Sequence, residues 1–149
     1  MSGTEQKKVT VSREDYLKAI WSLSERRPGQ APEAATGDLA EKLQVSPPAV
    51  SRMLKRMEQQ DLVAHMPYYG VRLTEKGRAV ALKIVRRHRL IELFLTQVLD
   101  YHLDSIHEEA ERLEHHISDE FEQRIDILMK FPDKCPHGSP IPGRSGVLR

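Results

Sequence analysis

Apolar positions recur at intervals of three and four residues through most of the chain, and the pattern breaks where turn-forming residues collect. After Ser12, Tyr16, Leu17, Ile20 and Leu23 share one face, so Ser12 to Glu25 is expected to be a helix with Ser12 as its cap. Pro28, Gly29 and Pro32 then turn the chain. Thr36 is expected to cap a short helix carrying Leu39, Ala40 and Leu43. Ser46-Pro47-Pro48 starts another, because a Ser cap followed by Pro loses no amide donor that the first turn needs. Val50, Met53, Leu54 and Met57 follow at i, i+3, i+4, i+7. Two short runs, Leu62-Val63-Ala64-His65-Met66 and Val71-Arg72-Leu73-Thr74, are strand candidates joined by a Pro67-Tyr68-Tyr69-Gly70 turn.

The second half reads as three helices. Glu75 to about Leu99 places Ile84, His88, Ile91 and Leu95 on one face, and Asp104 to Ile117 aligns Ile106, Ala110, Leu113 and Ile117. Ser118 is expected to cap a helix with Phe121, Ile125 and Leu128. These faces exceed what a small head covers, which points to a homodimer interface. Beyond Phe131, four prolines and three glycines suggest an extended tail or linker rather than a packed element. The expected fold is mainly α. An N-terminal winged helix-turn-helix (1–74) precedes a helical metal-binding and dimerisation domain (75–131) and the Pro/Gly-rich stretch (132–149).

Charge sharpens this outline. Over the 149 residues, 23 Lys+Arg nearly cancel 22 Asp+Glu, to a formal +1. Yet Pro47 to Arg89 holds ten cations against Glu58, Asp61 and Glu75, while Asp100 to Asp126 holds ten acids against Arg112 and Arg124. The first stretch suits a polyanion and the second a cation. The helix after Ser46 has the character of a recognition helix for double-stranded operator DNA, with Ser46, Pro48, Ala49, Ser51, Arg52 and Lys55 toward the groove. Thr36 at the preceding helix and Tyr69 and Arg72 on the wing, beside Tyr68, complete the candidate DNA-facing set. A lone cysteine, a polar N-terminus without an apolar stretch and no membrane-length run are read as a cytoplasmic protein.

The acidic half also carries chelating spacings. His107, Glu111, Glu114 and His115 stand at i, i+4, i+7, i+8, and His88 and Glu92 at i, i+4 on the preceding helix. Carboxylates with one or two imidazoles suit Mn²⁺ or Fe²⁺, with Zn²⁺ or Co²⁺ as substitutes. Cys135, in the Pro-rich stretch, is read as too remote to make a closed zinc–thiolate site. No HExxH pair, nucleophile–base pair or phosphate loop points to catalysis.

Glu14-Asp15-Tyr16-Leu17, Ser46-Pro47-Pro48-Ala49-Val50-Ser51, Arg87-His88-Arg89-Leu90, Glu111-Arg112-Leu113-Glu114-His115-His116 and the Cys135 to Gly143 segment occur in this order. Together they resemble the diphtheria-toxin-repressor and iron-dependent-regulator family, and within it the manganese transport regulators. The resemblance spans about residues 10 to 143. It implies a homodimeric, metal-activated repressor of metal-uptake genes. It also implies a primary metal site of Asp15, His88, Glu111, Glu114 and His115, and an ancillary site using His88, Glu92 and His107. Oxygen donors at Asp15 and Glu111, where iron-sensing relatives place sulfur, favour Mn²⁺ over Fe²⁺. Manganese regulators carry Glu one turn after the Asp; here it is Lys18, which weakens the case for a binuclear site. The remaining ancillary ligands of iron-sensing relatives come from a C-terminal SH3-like domain. The sequence is compatible with a short member or with a piece of a longer chain. The expected mechanism has the metal-free carboxylates repelling one another and leaving the head mobile. The competing readings are a winged-helix regulator that responds to a non-metal ligand and a metal hydrolase with an incidental basic face.

Overall fold

A computed structural model describes residues 11–25 and 33–144. The predicted turn at Pro28, Gly29 and Pro32, the polar N-terminus and the last residues of the Pro/Gly-rich stretch lie outside them. The order of elements is α1 (Arg13–Glu25), α2 (Thr36–Leu43), α3 (Pro47–Gln59), β1 (Val63–Met66), β2 (Gly70–Leu73), α4 (Glu75–Gln97), α5 (Leu103–Leu113) and α6 (Asp119–Leu128).

Local chemistry explains most boundaries. Ser12 and Asp15 cap α1 reciprocally: Ser12 N–H donates to Asp15 Oδ2 at 2.8 Å and Asp15 N–H to Ser12 Oγ at 3.3 Å. Ser46 caps α3 by accepting from Ala49 N–H, with prolines in the first turn. Thr74 caps α4 and Ser118 caps α6. At α2 the expectation fails: Ala35 is the cap position, Thr36 is already helical, and no side chain caps. The β-hairpin pairs Val63 with Leu73 and His65 with Val71. Ala34 adds an isolated antiparallel bridge to β2, since Ala34 N–H donates to Val71 O at 2.7 Å and Val71 N–H to Ala34 O at 3.0 Å. This contact requires Gly70, at φ +114°, because a Cβ there would lie 2.1 Å from Ala34 O.

Two apolar cores share α4. In the first, Leu17, Ile20, Leu39, Val50, Met57 and Val71 meet Ala81, Leu82 and Val85 from the first half of α4. In the second, Leu90, Ile91, Leu93 and Leu95 from its second half meet Ile106, Ala110, Ile125 and Ile141. Each fully buried aliphatic side chain contributes about 1.5–3 kcal/mol. A single helix therefore runs from the winged-helix head into the second unit, and α1 packs along it. No helix among the described residues is long and apolar enough to cross a membrane.

Two expectations are corrected. The helix begun at Asp104 ends at Leu113 rather than Ile117, so Glu114 and His115 sit on the turn that follows. The Pro/Gly-rich stretch is packed, not a free tail, through residue 142. Ile141 is fully buried and Cys135 nearly so. Ile141 N–H donates to Asp133 O at 2.8 Å, and the buried Arg86 donates to Pro142 O at 2.9 Å. Arg89 donates to Pro140 O as well.

Candidate metal centre

The turn after α5 faces α1 of the head, and the chelating side chains meet there. His115 Nε2 lies 2.9 Å from Asp15 Oδ1 and its Nδ1 3.2 Å from Glu14 Oε1. Hydrogen bonding to Asp15 outweighs burial and lifts the His115 pKa to about 9. Burial works to raise the Asp15 pKa, but hydrogen bonds from His115 and Ser12 overcome it and leave it lowered. Glu114 is fully buried on the same turn.

His88, on α4, is held between two carboxylates, Nδ1 2.7 Å from Glu114 Oε2 and Nε2 3.1 Å from Glu92 Oε1. Desolvation lowers its pKa, yet the bonds to Glu114 and Glu92 leave it raised. Lys18, one turn beyond Asp15 on α1, reaches into the same group. Its Nζ donates to Glu111 Oε1 at 2.9 Å and to Glu114 Oε1 at 2.6 Å. Burial opposes its charge, but the Glu114 charge and both hydrogen bonds prevail and raise its pKa. The expected picture of mutually repelling carboxylates is thereby corrected: Asp15, Glu111 and Glu114 already face His115 and Lys18.

A second group surrounds Glu92. Its carboxylate is buried, and Oε2 makes no hydrogen bond, although His137 Nδ1 stands 3.4 Å away and His107 Nδ1 3.9 Å away. Burial raises the Glu92 pKa, but the neighbouring imidazoles, His88 first, leave it lowered. The His88 and His107 rings meet edge-on at 4.9 Å. Ligand atoms of Glu92, Cys135 and His137 lie within 4.8 Å of one another. The expectation that Cys135 is remote from the chelating residues is corrected. The packed Cys-Pro-His turn delivers the Cys135 thiol and the exposed His137 to Glu92, and the Cys-x-His spacing was the available signal. His102 instead caps α5, and His116 is exposed.

The donors fit a divalent cation. Ligand atoms of Asp15, Glu114 and His115 cluster within 4.8 Å, as do those of His88, Glu111 and Glu114, and of His88, Glu92 and His107. The orphaned Glu92 Oε2 is a buried acceptor facing further donors. Asp15, His88, Glu92, His107, Glu111 and His115 line a cavity of about 1090 Å³ between α1 and the α4–α5 face.

None of the candidate DNA-facing residues lines that cavity. Ser46, Pro48, Ser51, Arg52 and Lys55 are exposed along α3, with Ala49 half-buried. Tyr68 and Tyr69 project from the wing tip, 104% and 64% exposed. Arg72 pairs with Glu33 at 2.6 Å, and Thr36 is half-buried at the start of α2.

Residues 8–71 match the family described as iron dependent repressor, N-terminal DNA binding domain, and residues 74–143 the metal binding and dimerisation domain of the same repressors. The chain is 37% identical over 141 residues to the diphtheria toxin repressor of Corynebacterium efficiens, covering 95% of this chain and 60% of that protein. It is 39% identical over 130 residues to the iron-dependent repressor IdeR of Mycobacterium tuberculosis, covering 87% and 55% respectively. A solved manganese-dependent transcriptional repressor in complex with manganese superposes with a TM-score of 0.85 at 43% identity, over 93% of this chain and 62% of that one. The chain thus spans 60% and 55% of the length of these two curated relatives.

Proposed function

The chain belongs to the iron-dependent repressor family, and from that premise we propose that it is a homodimeric, metal-activated transcriptional repressor of metal-uptake genes. In this reading residues 1–74 bind operator DNA and residues 75–131 dimerise and hold metal. The observation that carries it is the meeting of Asp15, on α1 of the head, with His115, beyond α5, at 2.9 Å. A ligand set divided between two units gives a cation leverage over how they sit.

The primary site would use Asp15, His88, Glu111, Glu114 and His115. The ancillary site would use His88, Glu92 and His107, joined by Cys135 and His137. A bound divalent ion supplies concentrated positive charge and directional bonds to these oxygens and nitrogens. The predominance of carboxylate oxygen at the primary site favours Mn²⁺, with Fe²⁺ next. Asp15 anchors α1, and through the first core α1 fixes α3. In a dimer the two α3 helices must stand about one DNA turn, ~34 Å, apart to enter successive major grooves. Arg52 and Lys55 then meet phosphates or base edges. The exposed apolar side chains Val98, Leu99, Leu103, Phe121, Leu128 and Phe131 form the face for the second copy.

Operator binding titrated separately with Mn²⁺, Fe²⁺ and Zn²⁺, for the native chain and Glu111→Ala, tests the proposal. Native binding should strengthen with metal, most at the lowest free Mn²⁺, while the variant stays weak. Operator affinity indifferent to EDTA would instead favour a regulator that responds to a non-metal ligand.

A further inference from the structure

The donors around Glu114 form two overlapping cation positions that share this carboxylate. Asp15, Glu114 and His115 define one, and His88, Glu111 and Glu114 the other. Lys18 occupies the second. Its Nζ sits 2.9 Å from Glu111 Oε1 and 2.6 Å from Glu114 Oε1, and its side chain is only 19% exposed.

We propose that Lys18 is the resident second cation of this centre, so that the centre takes one divalent ion, on the Asp15–His115 side, rather than two. Charge supports this. Three carboxylates, Asp15, Glu111 and Glu114, balance one divalent ion plus one ammonium, whereas two divalent ions beside Lys18 would leave an excess of positive charge. Geometry supports it too. The ammonium is tethered through α1, so its local concentration at the carboxylates is fixed by the fold and free metal must compete against it. Lys18 has a further consequence: it joins α1 to the turn after α5 in metal-free protein. The inference rests on the reading of Asp15, Glu114 and His115 as a cation site.

The test counts Mn²⁺ per chain by equilibrium dialysis with elemental analysis, for the native protein and for Lys18→Ala, Lys18→Gln and Lys18→Arg. Lys18→Ala and Lys18→Gln should each take up one more Mn²⁺ than the native chain, and Lys18→Arg should match it. Equal stoichiometry in all four overturns the proposal. Thermal unfolding guards against a folding defect. Destabilisation of Lys18→Ala and Lys18→Gln in EDTA should be largely reversed by saturating Mn²⁺, as the metal takes the ammonium's place. A loss that Mn²⁺ leaves uncorrected overturns the proposal as well. Equal Mn²⁺ uptake by native protein and Asp15→Ala would count against the underlying metal site, a failure distinguishable from that of Lys18.

Discussion

Replacing Glu114 by Gln removes one negative charge at nearly constant volume. Glu114 is fully buried and lies 2.6 Å from Lys18 Nζ, 2.7 Å from His88 Nδ1 and 3.4 Å from His115 Nε2. Removing one member of a buried ion pair costs about 3–5 kcal/mol, because the other charge stays desolvated. Lys18 keeps Glu111 and His88 keeps Glu92, so the lower end applies, about 3 kcal/mol. For a domain of this size that lowers the melting temperature by roughly 10 °C. The assay is thermal unfolding in EDTA and again in Mn²⁺. Native protein with Mn²⁺ at a hundredfold excess over its dissociation constant gains about 2.7 kcal/mol. Glu114→Gln should lose most of that gain, so its deficit widens from about 3 to about 5 kcal/mol when metal is present. Unchanged stability in EDTA would refute the buried pairing. A deficit of equal size in EDTA and in Mn²⁺ would refute Glu114 as a ligand.

The Asp15–His115 pair sets a pH window for metal-free protein. The His115 pKa is raised to about 9, so its contribution is complete below the unfolded value near 6.5 and is lost as pH rises through 9. At full coupling this is at most about 3 kcal/mol, and about 1 kcal/mol after solvent screening of a partly exposed pair. Urea unfolding in EDTA at pH 6.5 and pH 9.5 should show this fall, and His115→Gln should abolish it. Arg86→Ala leaves Asp126 in the interior without its 2.8 Å guanidinium partner, and should cost about 3–5 kcal/mol by denaturant titration. The same change frees the Pro142 carbonyl, so Cys135 should react faster with a thiol reagent, and protected Cys135 would contradict the clamp. Leu128→Glu places a charge on the exposed apolar face and should turn dimer into monomer in sedimentation; a persistent dimer would move the interface elsewhere.

Elements whose signals are local were legible before the structure. The Ser46-Pro47-Pro48 start of α3 depends on one hydroxyl and two rings within three residues, and the Ser118 cap of α6 acts as locally. The long α4 was legible because one apolar face serves two cores in succession. What failed depends on partners far along the chain. Proline and glycine content made residues 132–149 resemble a linker. Arg86 and Arg89, more than fifty residues earlier, hold that segment by its carbonyls. No periodicity within the segment could signal those donors. The early end of α5 is similar in kind, since Glu114 leaves the helical stripe to face Lys18 and His88.

Part of the candidate chelating set was also legible, because i, i+4 spacing marks His88 with Glu92 and His107 with Glu111 regardless of tertiary context. Their countercharges were not. Lys18 is 96 residues from Glu114, and His115 is 100 from Asp15, so spacing alone cannot place either. That omission matters for how metal would act. Bare carboxylates would repel the head until metal arrived, and nearly all head–core attraction would then be metal-derived. With Lys18 and His115 already in place, head and core attract one another in metal-free protein. A metal can shift their equilibrium only by its affinity difference between the docked and undocked arrangements. Part of that affinity is spent displacing the His115 proton that now bonds Asp15. Residual operator affinity in EDTA should therefore be lower in Lys18→Ala than in native protein. Band-shift measurements at fixed ionic strength would show it, and equal affinities would mean that the ammonium does not help to hold the head.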